Sequence, residues 1–246
     1  MKKLLPLIII LNISLSAESL YSFANIGINY LDWDSPTQSK TSQKDFGYVS
    51  IEGAVGWDWG EFYGNANLEN PTKSYTDDSN SLRYTVFGDF DINIKNGFKI
   101  HFQNFHLHSD TFYVNDFVVG GAYKYQSDGF WIKPFIGLHY TNDTYFDGFN
   151  GYMGGWVFNY NFKIFNEKLS LFQWNEIEFG RDKKFYEDDG VPIGDSKSYG
   201  LNGALSFWWD MNDSFTSGIQ YRYAKHKLGN YDYQSAIIYT LKYNFL

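Results

Sequence analysis

Cysteine is absent from this 246-residue chain, and proline (5) and methionine (3) are scarce. Without cysteine there is no disulfide framework and no thiolate nucleophile or metal ligand. Long apolar runs are missing as well. The mean hydropathy is -0.40, and no run of about 20 apolar residues occurs, which excludes a helical membrane protein. Basic residues are too few to balance the acids, and the net charge of -8 argues against a nucleic-acid partner.

The first 17 residues have the pattern of a secretory signal peptide. Lys2 and Lys3 precede a short apolar run, and small residues follow at Ser16 and Ala17. A basic start, an apolar segment too short to span a bilayer and a small-residue cleavage site define such a peptide. We therefore predict a signal peptide at 1–17 and one exported domain at 18–246.

Aromatic residues are abundant. They make up 21% of the chain, with 21 Tyr, 23 Phe and 8 Trp. Amphipathic rings collect at the two membrane interfaces of outer-membrane barrels, where one side contacts lipid and the other water. This excess favours a membrane barrel over the alternative, a soluble antiparallel sandwich with one face on a core.

Apolar and polar residues alternate with a period of two along most of the chain. The clearest case is the terminal hairpin, where Ile237, Tyr239 and Leu241 share one face and Thr240 and Lys242 the other. Strands with one apolar and one polar face are typical of an up-and-down transmembrane barrel. The fold class predicted is thus all-β, an antiparallel transmembrane β-barrel of about twelve strands. The predicted strands before the terminal pair are 22–33, 45–57, 62–69, 82–94, 98–108, 112–125, 130–141, 152–164, 169–181 and 198–209.

Short turns and longer polar loops alternate between these strands, as expected for tight periplasmic turns and longer outer loops. The long loops are predicted at 34–44, 70–81, 142–150 and 182–197. Two strands are irregular. Pro134 cannot donate to a ladder and predicts a bulge or ladder defect, and in the ninth strand neither set of alternate residues is consistently apolar.

The inward faces carry acids, bases and aromatic rings, which indicates a wet lumen. Rings among polar groups suit a small solute with a stackable ring, although the same charges could pair to brace the barrel and the same rings could fill a narrow lumen. Candidate ligand-binding residues of the lumen are Trp33, Tyr48, Glu52, Arg83, Phe87, Trp131, Lys133 and Arg222.

Catalysis and metal binding have little support in the sequence. No Gly-x-Ser-x-Gly stretch occurs, and His139 and Thr141 share a face although threonine is an uncommon nucleophile. His106 and His108 could meet an ion, but spacing supplies no further ligand. We predict no enzyme activity, no catalytic residue, no metal site and no cofactor.

The run 46–64, Phe-Gly-Tyr-Val-Ser-Ile-Glu-Gly-Ala-Val-Gly-Trp-Asp-Trp-Gly-Glu-Phe-Tyr-Gly, resembles the nucleoside-specific channel (Tsx, OmpK) family, as do 145–152 and the terminal Tyr-Asn-Phe at 243–245. The similarity extends over most of the mature chain and departs from the family at Leu246, one residue beyond the usual final Phe. The resemblance implies a monomeric twelve-stranded barrel that passes nucleosides passively, with Glu52 at an acidic lumen position.

Taken together, these features predict an outer-membrane channel of a Gram-negative bacterium. Its partners would be membrane lipid, a small solute such as a nucleoside, and the barrel-assembly machinery that reads the last strand. The alternative is a plugged structural or surface-recognition barrel. Small inward residues, among them Gly27, Gly120 and Gly200, leave room that a plugged barrel would fill.

Overall fold

The structure is a computed structural model that describes residues 19–76 and 81–245. The predicted signal peptide, part of the predicted loop 70–81 and Leu246 lie outside them. The strands are β1 (Tyr21–Trp33), β2 (Phe46–Gly56), β3 (Gly60–Glu69), β4 (Arg83–Lys95), β5 (Phe98–His108), β6 (Tyr113–Tyr123), β7 (Tyr125–Ser127), β8 (Phe130–Asp143), β9 (Asp147–Ile164), β10 (Glu167–Phe179), β11 (Glu187–Asp188), β12 (Val191–Pro192), β13 (Tyr199–Asp210), β14 (Phe215–Lys225) and β15 (Gln234–Asn244). Two short helices, α1 (Ser35–Lys40) and α2 (Lys183–Tyr186), lie in loops.

Every neighbouring pair of long strands is antiparallel, and the sheet closes on itself. β1 pairs with β2 on one side and with β15 on the other, and β6 pairs with β8. β6 and β7 form one wall segment interrupted at Lys124, so the described residues build a closed barrel of twelve strands. Because the sheet is closed, no strand edge has unpaired backbone groups, as a β-sheet in lipid requires. No helix in the described part of the chain is long and apolar enough to cross a membrane.

The interruption at Lys124 has a cause in the neighbouring strand. Ala122 pairs with Phe135 and Tyr125 pairs with Ile132, so the gap lies opposite Pro134. Because proline has no N–H to donate, the hydrogen-bond ladder is interrupted at that point. The predicted ladder defect is confirmed, while the register of Pro134 with β9 is regular.

Most predicted strand bounds agree with the structure to within two residues, and the exceptions are instructive. Trp57 is not an outward residue of β2. It lies beyond the strand end, 5% exposed, with its ring stacked on Trp59 at 5.1 Å. The loop predicted at 142–150 is also wrong, because β8 continues to Asp143 and β9 begins at Asp147.

The alternation of turns and loops is confirmed. Tight turns join β2 to β3, β4 to β5, β7 to β8, β9 to β10 and β13 to β14 at one end of the barrel, called here the turn end. The opposite end, the loop end, carries the longer connections 34–45, 70–82 and 180–198. Gly97 has φ 85° and Gly129 φ 71°, the left-handed region that tight turns favour.

The outward faces are largely apolar and aromatic, as predicted. Polar side chains also face outward on β5, at Asn104, His106 and His108, and on β10. There Gln173 and Asn175 face outward and bond to aromatic side chains that cover them. The Trp156 Nε1–H donates to Gln173 Oε1 at 3.2 Å, and the Tyr223 hydroxyl donates to Asn175 Oδ1 at 2.9 Å. Because these amides are hydrogen-bonded within the wall, the irregular pattern of the ninth strand does not expose bare polar groups to lipid.

The space beside some of the small inward residues is filled by neighbouring chain segments and does not widen the lumen. A Cβ on Gly120 would lie 2.0 Å from the Ile136 carbonyl oxygen and 2.4 Å from Gly137 Cα, so the two strands approach closely at this glycine pair. A Cβ on Gly200 would lie 2.1 Å from the Arg181 guanidinium. The space over Gly200 is therefore filled by Arg181.

The loop end of the lumen contains a small apolar core. Leu31, Trp33, Phe46, Ala236 and Ile238 pack together on the inner face. The segment 34–45 lies above them, anchored by Asp34, which caps α1 and accepts a hydrogen bond from the Ser235 hydroxyl at 2.5 Å. This part of the inner face is packed and dry, unlike the charged regions beside it.

Candidate functional site

Charged side chains cross the lumen near the turn end. The Lys133 Nζ donates to Asp89 at 2.9 Å and to Asp91 at 2.5 Å, and His101 Nδ1 lies 2.8 Å from Asp91. Glu61, on β3, lies 3.7 Å from the Lys133 ammonium. Lys99 and Lys124 lie 3.4 and 2.5 Å from Glu61. We call these seven residues the turn-end cluster, and its three ammonium groups balance its three carboxylates.

A second group, the loop-end cluster, lies near the opposite opening. It contains Asp116, His139, Glu178, Arg181, Asp195 and Lys227. Lys227 pairs with Glu178 and lies 3.4 Å from Asp116. Burial would lower the pKa of Lys227, but the carboxylates of Glu178 and Asp116 raise it above the usual lysine value. The side chain is therefore a stable ammonium.

Each cluster brings a histidine within reach of two carboxylates, a donor set that can hold a metal ion. Asp89, Asp91 and His101 form one such group, and Asp116, His139 and Glu178 form the other. In both, a lysine ammonium already contacts the two carboxylates. These positive charges supply the neutralisation that an ion would otherwise give.

The wall from β10 through β15 to β2 carries rings paired with cations. Arg222 lies over the Trp174 ring, 5.2 Å from its centroid. Lys242 lies over Trp208 at 3.8 Å and pairs with Glu52. These groups are partly exposed to the lumen and combine a ring, a cation and a carboxylate within a short stretch of wall.

All eight candidate lumen residues face inward, but their surroundings differ. Trp33 is only 5% exposed and belongs to the apolar core at the loop end, so its ring offers little surface to a solute. Tyr48 packs against that core. Lys133 is held in the turn-end cluster, and Trp131 has Lys124 over its ring at 5.2 Å.

Of the other four candidates, Arg83 lies at the loop end, over the Phe46 ring, and the remaining three lie within their strands. Glu52 accepts hydrogen bonds from Asn25 at 3.1 Å and from the Tyr63 hydroxyl at 3.0 Å. Arg83 pairs with Glu69, and its side chain is 32% exposed. The Phe87 ring lies 6.0 Å from that of Tyr63. The Arg222 Nη2–H donates to Asn202 at 3.2 Å.

Sequence reasoning missed several lumen residues. Periodicity does not show which way Trp174 faces, because β10 carries polar residues on both faces. Trp174 does lie on the same face of the strand as Glu176 and Glu178, and this would have placed it inside. Glu61 sits at the start of a short strand and Lys124 at the ladder gap, so periodicity gave neither a face. Lys227 lies beyond the end of β14, in a connection with no period at all.

The two residues considered for catalysis do meet. The Thr141 hydroxyl donates to Asp116 Oδ1 at 2.7 Å and lies 3.2 Å from His139 Nε2. Both side chains are buried. His106 and His108 face outward, where their rings contact Tyr84.

A model of the nucleoside-specific channel-forming protein family, Tsx, matches residues 28–245. The chain belongs to this family. Among solved structures, the NanC porin aligns with a TM-score of 0.54 and 9% identity over 89% of this chain and 100% of that one. The KdgM porin aligns with a TM-score of 0.48 and 9% identity over 92% and 100%. At such identities the likeness to NanC concerns the fold alone.

Family membership and the closed barrel together make the protein an outer-membrane channel of a Gram-negative bacterium that passes small solutes. Barrels of this membrane have short periplasmic turns and longer outer loops. The loop end is thus the extracellular opening and the turn end the periplasmic one. Members of the Tsx family are described as nucleoside-specific.

Proposed function

We propose that the channel selects nucleosides, and that the wall formed by Trp174, Trp208, Arg222, Lys242 and Glu52 is where they bind in passage. The observation that carries this proposal is that a cation lies over each of these two rings and that one of these cations, Lys242, pairs with the Glu52 carboxylate. A nucleobase can stack on such a ring or on the guanidinium plane. Ribose hydroxyls can donate to Glu52.

The charge pattern also favours a neutral solute. Glu52 is paired with Lys242, and Arg83 with Glu69. Paired charges present hydrogen-bonding groups without a strong net field, so an uncharged polar solute gains contacts that a bare ion does not. Binding must stay weak for the solute to leave, which suits a few exchangeable contacts in a wet lumen.

Of the candidates predicted from sequence, Tyr48, Glu52, Arg83, Phe87, Trp131, Lys133 and Arg222 remain in the proposed pathway. Trp33 is proposed to act through packing at the extracellular opening, since its ring is enclosed by Leu31, Phe46 and Ile238. Passage is passive, and the proposal includes no catalytic step and no cofactor.

The proposal further includes a monomer folded by the barrel-assembly machinery. The closed ladder supports a monomer because no strand edge is left for a second copy. The alternating terminal strand β15, whose outward Tyr239, Leu241 and Tyr243 face lipid, supports recognition by that machinery. Sedimentation of the detergent-solubilised protein tests the monomer, and a dimer mass would contradict it.

Nucleoside block of single-channel current tests the solute. Replacing Trp208 with Ala should raise the Kd for nucleoside block by roughly 5-fold to 150-fold, because one stacking contact is worth ~1 to 3 kcal/mol. The matched control is Trp209→Ala, the next residue on the same strand, whose side chain faces lipid and is 40% exposed. Absence of nucleoside-dependent block in the unmodified protein would refute the solute assignment and leave the barrel intact.

A further inference from the structure

One connection at the extracellular opening turns inward. Residues 226–233, called here the Lys227 strap, join β14 to β15. Lys227 and Asn230 form an isolated bridge around Leu228 and Gly229, whose φ angles are 65° and 73°. Two successive positive φ angles are those of a type I′ turn, and a branched side chain such as Leu228 adopts the first of them at a cost.

Contacts to the rest of the opening hold the strap in this conformation. The Arg181 guanidinium donates to the His226 carbonyl oxygen at 2.8 Å, and the Gly229 N–H donates to Asp195 Oδ1 at 2.9 Å. Gln234 donates to the Lys227 carbonyl oxygen at 2.9 Å. Strained backbone persists where its surroundings fix it in this way.

The side chain of Lys227 bridges the lumen. Asp116 lies on β6 and Glu178 on β10, whereas the strap follows β14. Going around the barrel, β6 and β14 are separated by β8, β9, β10 and β13 on one side and by the remaining six strands on the other. The ammonium therefore reaches from the end of β14 to a carboxylate on β6, on nearly the opposite side of the barrel.

We propose that Lys227 determines the width and ion selectivity of the extracellular opening, with the strap as the element that carries it. The ammonium narrows the passage and neutralises Asp116 and Glu178 at the same point. If the bridge is removed, the passage widens and the two carboxylates face it without a cation. Both effects raise cation flow through the entrance. The inference concerns ion conduction and does not depend on which solute the channel selects.

The absence of native cysteine allows a reversible test by single-channel recording in potassium chloride alone. Lys227→Cys should raise conductance roughly two-fold or more and shift selectivity toward cations, since unpaired carboxylates favour them. Treatment with aminoethyl methanethiosulfonate restores an ammonium at this position and should return both values to those of the unmodified protein. The neutral methyl methanethiosulfonate should not.

Lys225→Cys is the matched control, because Lys225 ends β14 two residues earlier, exposed on the outward face. It should conduct like the unmodified protein before and after either reagent. Removing one partner of a buried ion pair can destabilise the barrel enough to prevent assembly. Lys227→Met combined with Asp116→Asn and Glu178→Gln avoids unpaired charge and should also conduct more.

Heat-modifiable gel migration identifies the variants that have formed barrels. The proposal is overturned if assembled Lys227→Cys protein has the conductance of the unmodified protein and ignores both reagents. It is equally overturned if Lys225→Cys responds in the same way as Lys227→Cys. Should Lys227→Cys fail to assemble, unchanged conductance in the neutral triple variant overturns it.

Discussion

The pair formed by Glu52 and Lys242 predicts opposite changes in ion selectivity for two single substitutions. Glu52→Gln leaves the Lys242 ammonium without its carboxylate and should shift the channel toward anions. Lys242→Met leaves the Glu52 carboxyl group without its ammonium partner and should shift the channel toward cations. The double variant removes both charges and should resemble the unmodified protein. Only a paired arrangement that borders the ion path, as the structure places it, predicts this sign reversal.

The size of the effect follows from Coulomb's law. An ion passing about 8 Å from one unpaired charge, at an effective dielectric constant of about 20, interacts by about 2 kcal/mol. Screening over a Debye length of about 10 Å at 0.1 M salt halves this value. The remaining ~1 kcal/mol favours one ion and disfavours the other by the same amount, so the ratio of cation to anion permeability should change by up to about 30-fold. In Glu52→Gln the amide oxygen can still accept from only one of Asn25 and Tyr63, because these two side chains donate to different oxygens of the carboxylate.

The assay is the reversal potential of single channels under a potassium chloride gradient. The four proteins are measured at low and high salt, and the differences should shrink at 1 M, where the Debye length is about 3 Å. Shifts in the same direction for both single variants, or no shift in either, would refute the placement of this pair beside the ion path.

Three further predictions concern the fold. Gly120→Val should prevent barrel formation, seen as loss of heat-modifiable migration, because a Cβ there would lie 2.0 Å from the Ile136 carbonyl oxygen. In the control Gly121→Ala the nearest neighbour of the new Cβ is 3.9 Å away, so this variant should fold normally, and failure of both variants to fold would point to a cause other than this contact. A cysteine at Asp189 should be labelled from outside intact cells and one at Asp128 should not, and the reverse pattern would invert the barrel. Asp34→Ala should destabilise the 34–45 segment by about 0.5 to 2 kcal/mol through loss of the helix cap. Although burial raises the pKa of Asp34, hydrogen bonds from Ser235 and Thr37 lower it overall, so the stability that Asp34 contributes is present above the unfolded-state pKa and is lost as pH falls through the folded-state pKa. The loss of unfolding free energy in Asp34→Ala should therefore be smaller at acidic than at neutral pH, and an equal loss at both would contradict the assignment.

Periodicity predicted the barrel well because lipid and water impose opposite demands on alternate residues. The predicted strands failed where another constraint intervened. Trp57 continues the alternation of β2 in sequence, yet the chain turns before it and its ring stacks on Trp59. The polar composition of 142–150 suggests a loop, but the strands β8 and β9 extend beyond the apolar band and keep their ladder there.

The inward face of each candidate could be predicted, whereas its partners could not. Period two places Trp33 and Glu52 inside equally well. It does not reveal that Trp33 is enclosed by Phe46 and Ile238 while Glu52 meets Lys242 from the opposite end of the chain. Such contacts depend on the stagger between strands, and the strap that carries Lys227 has no periodic signal to read.

Solute uptake by proteoliposomes tests the central claim most directly. Liposomes containing the purified protein should swell faster in adenosine than in a disaccharide of similar mass, and Trp208→Ala should reduce that preference while Trp209→Ala retains it. Swelling in adenosine no faster than in the disaccharide, from protein that conducts ions normally, would contradict a nucleoside-selective channel.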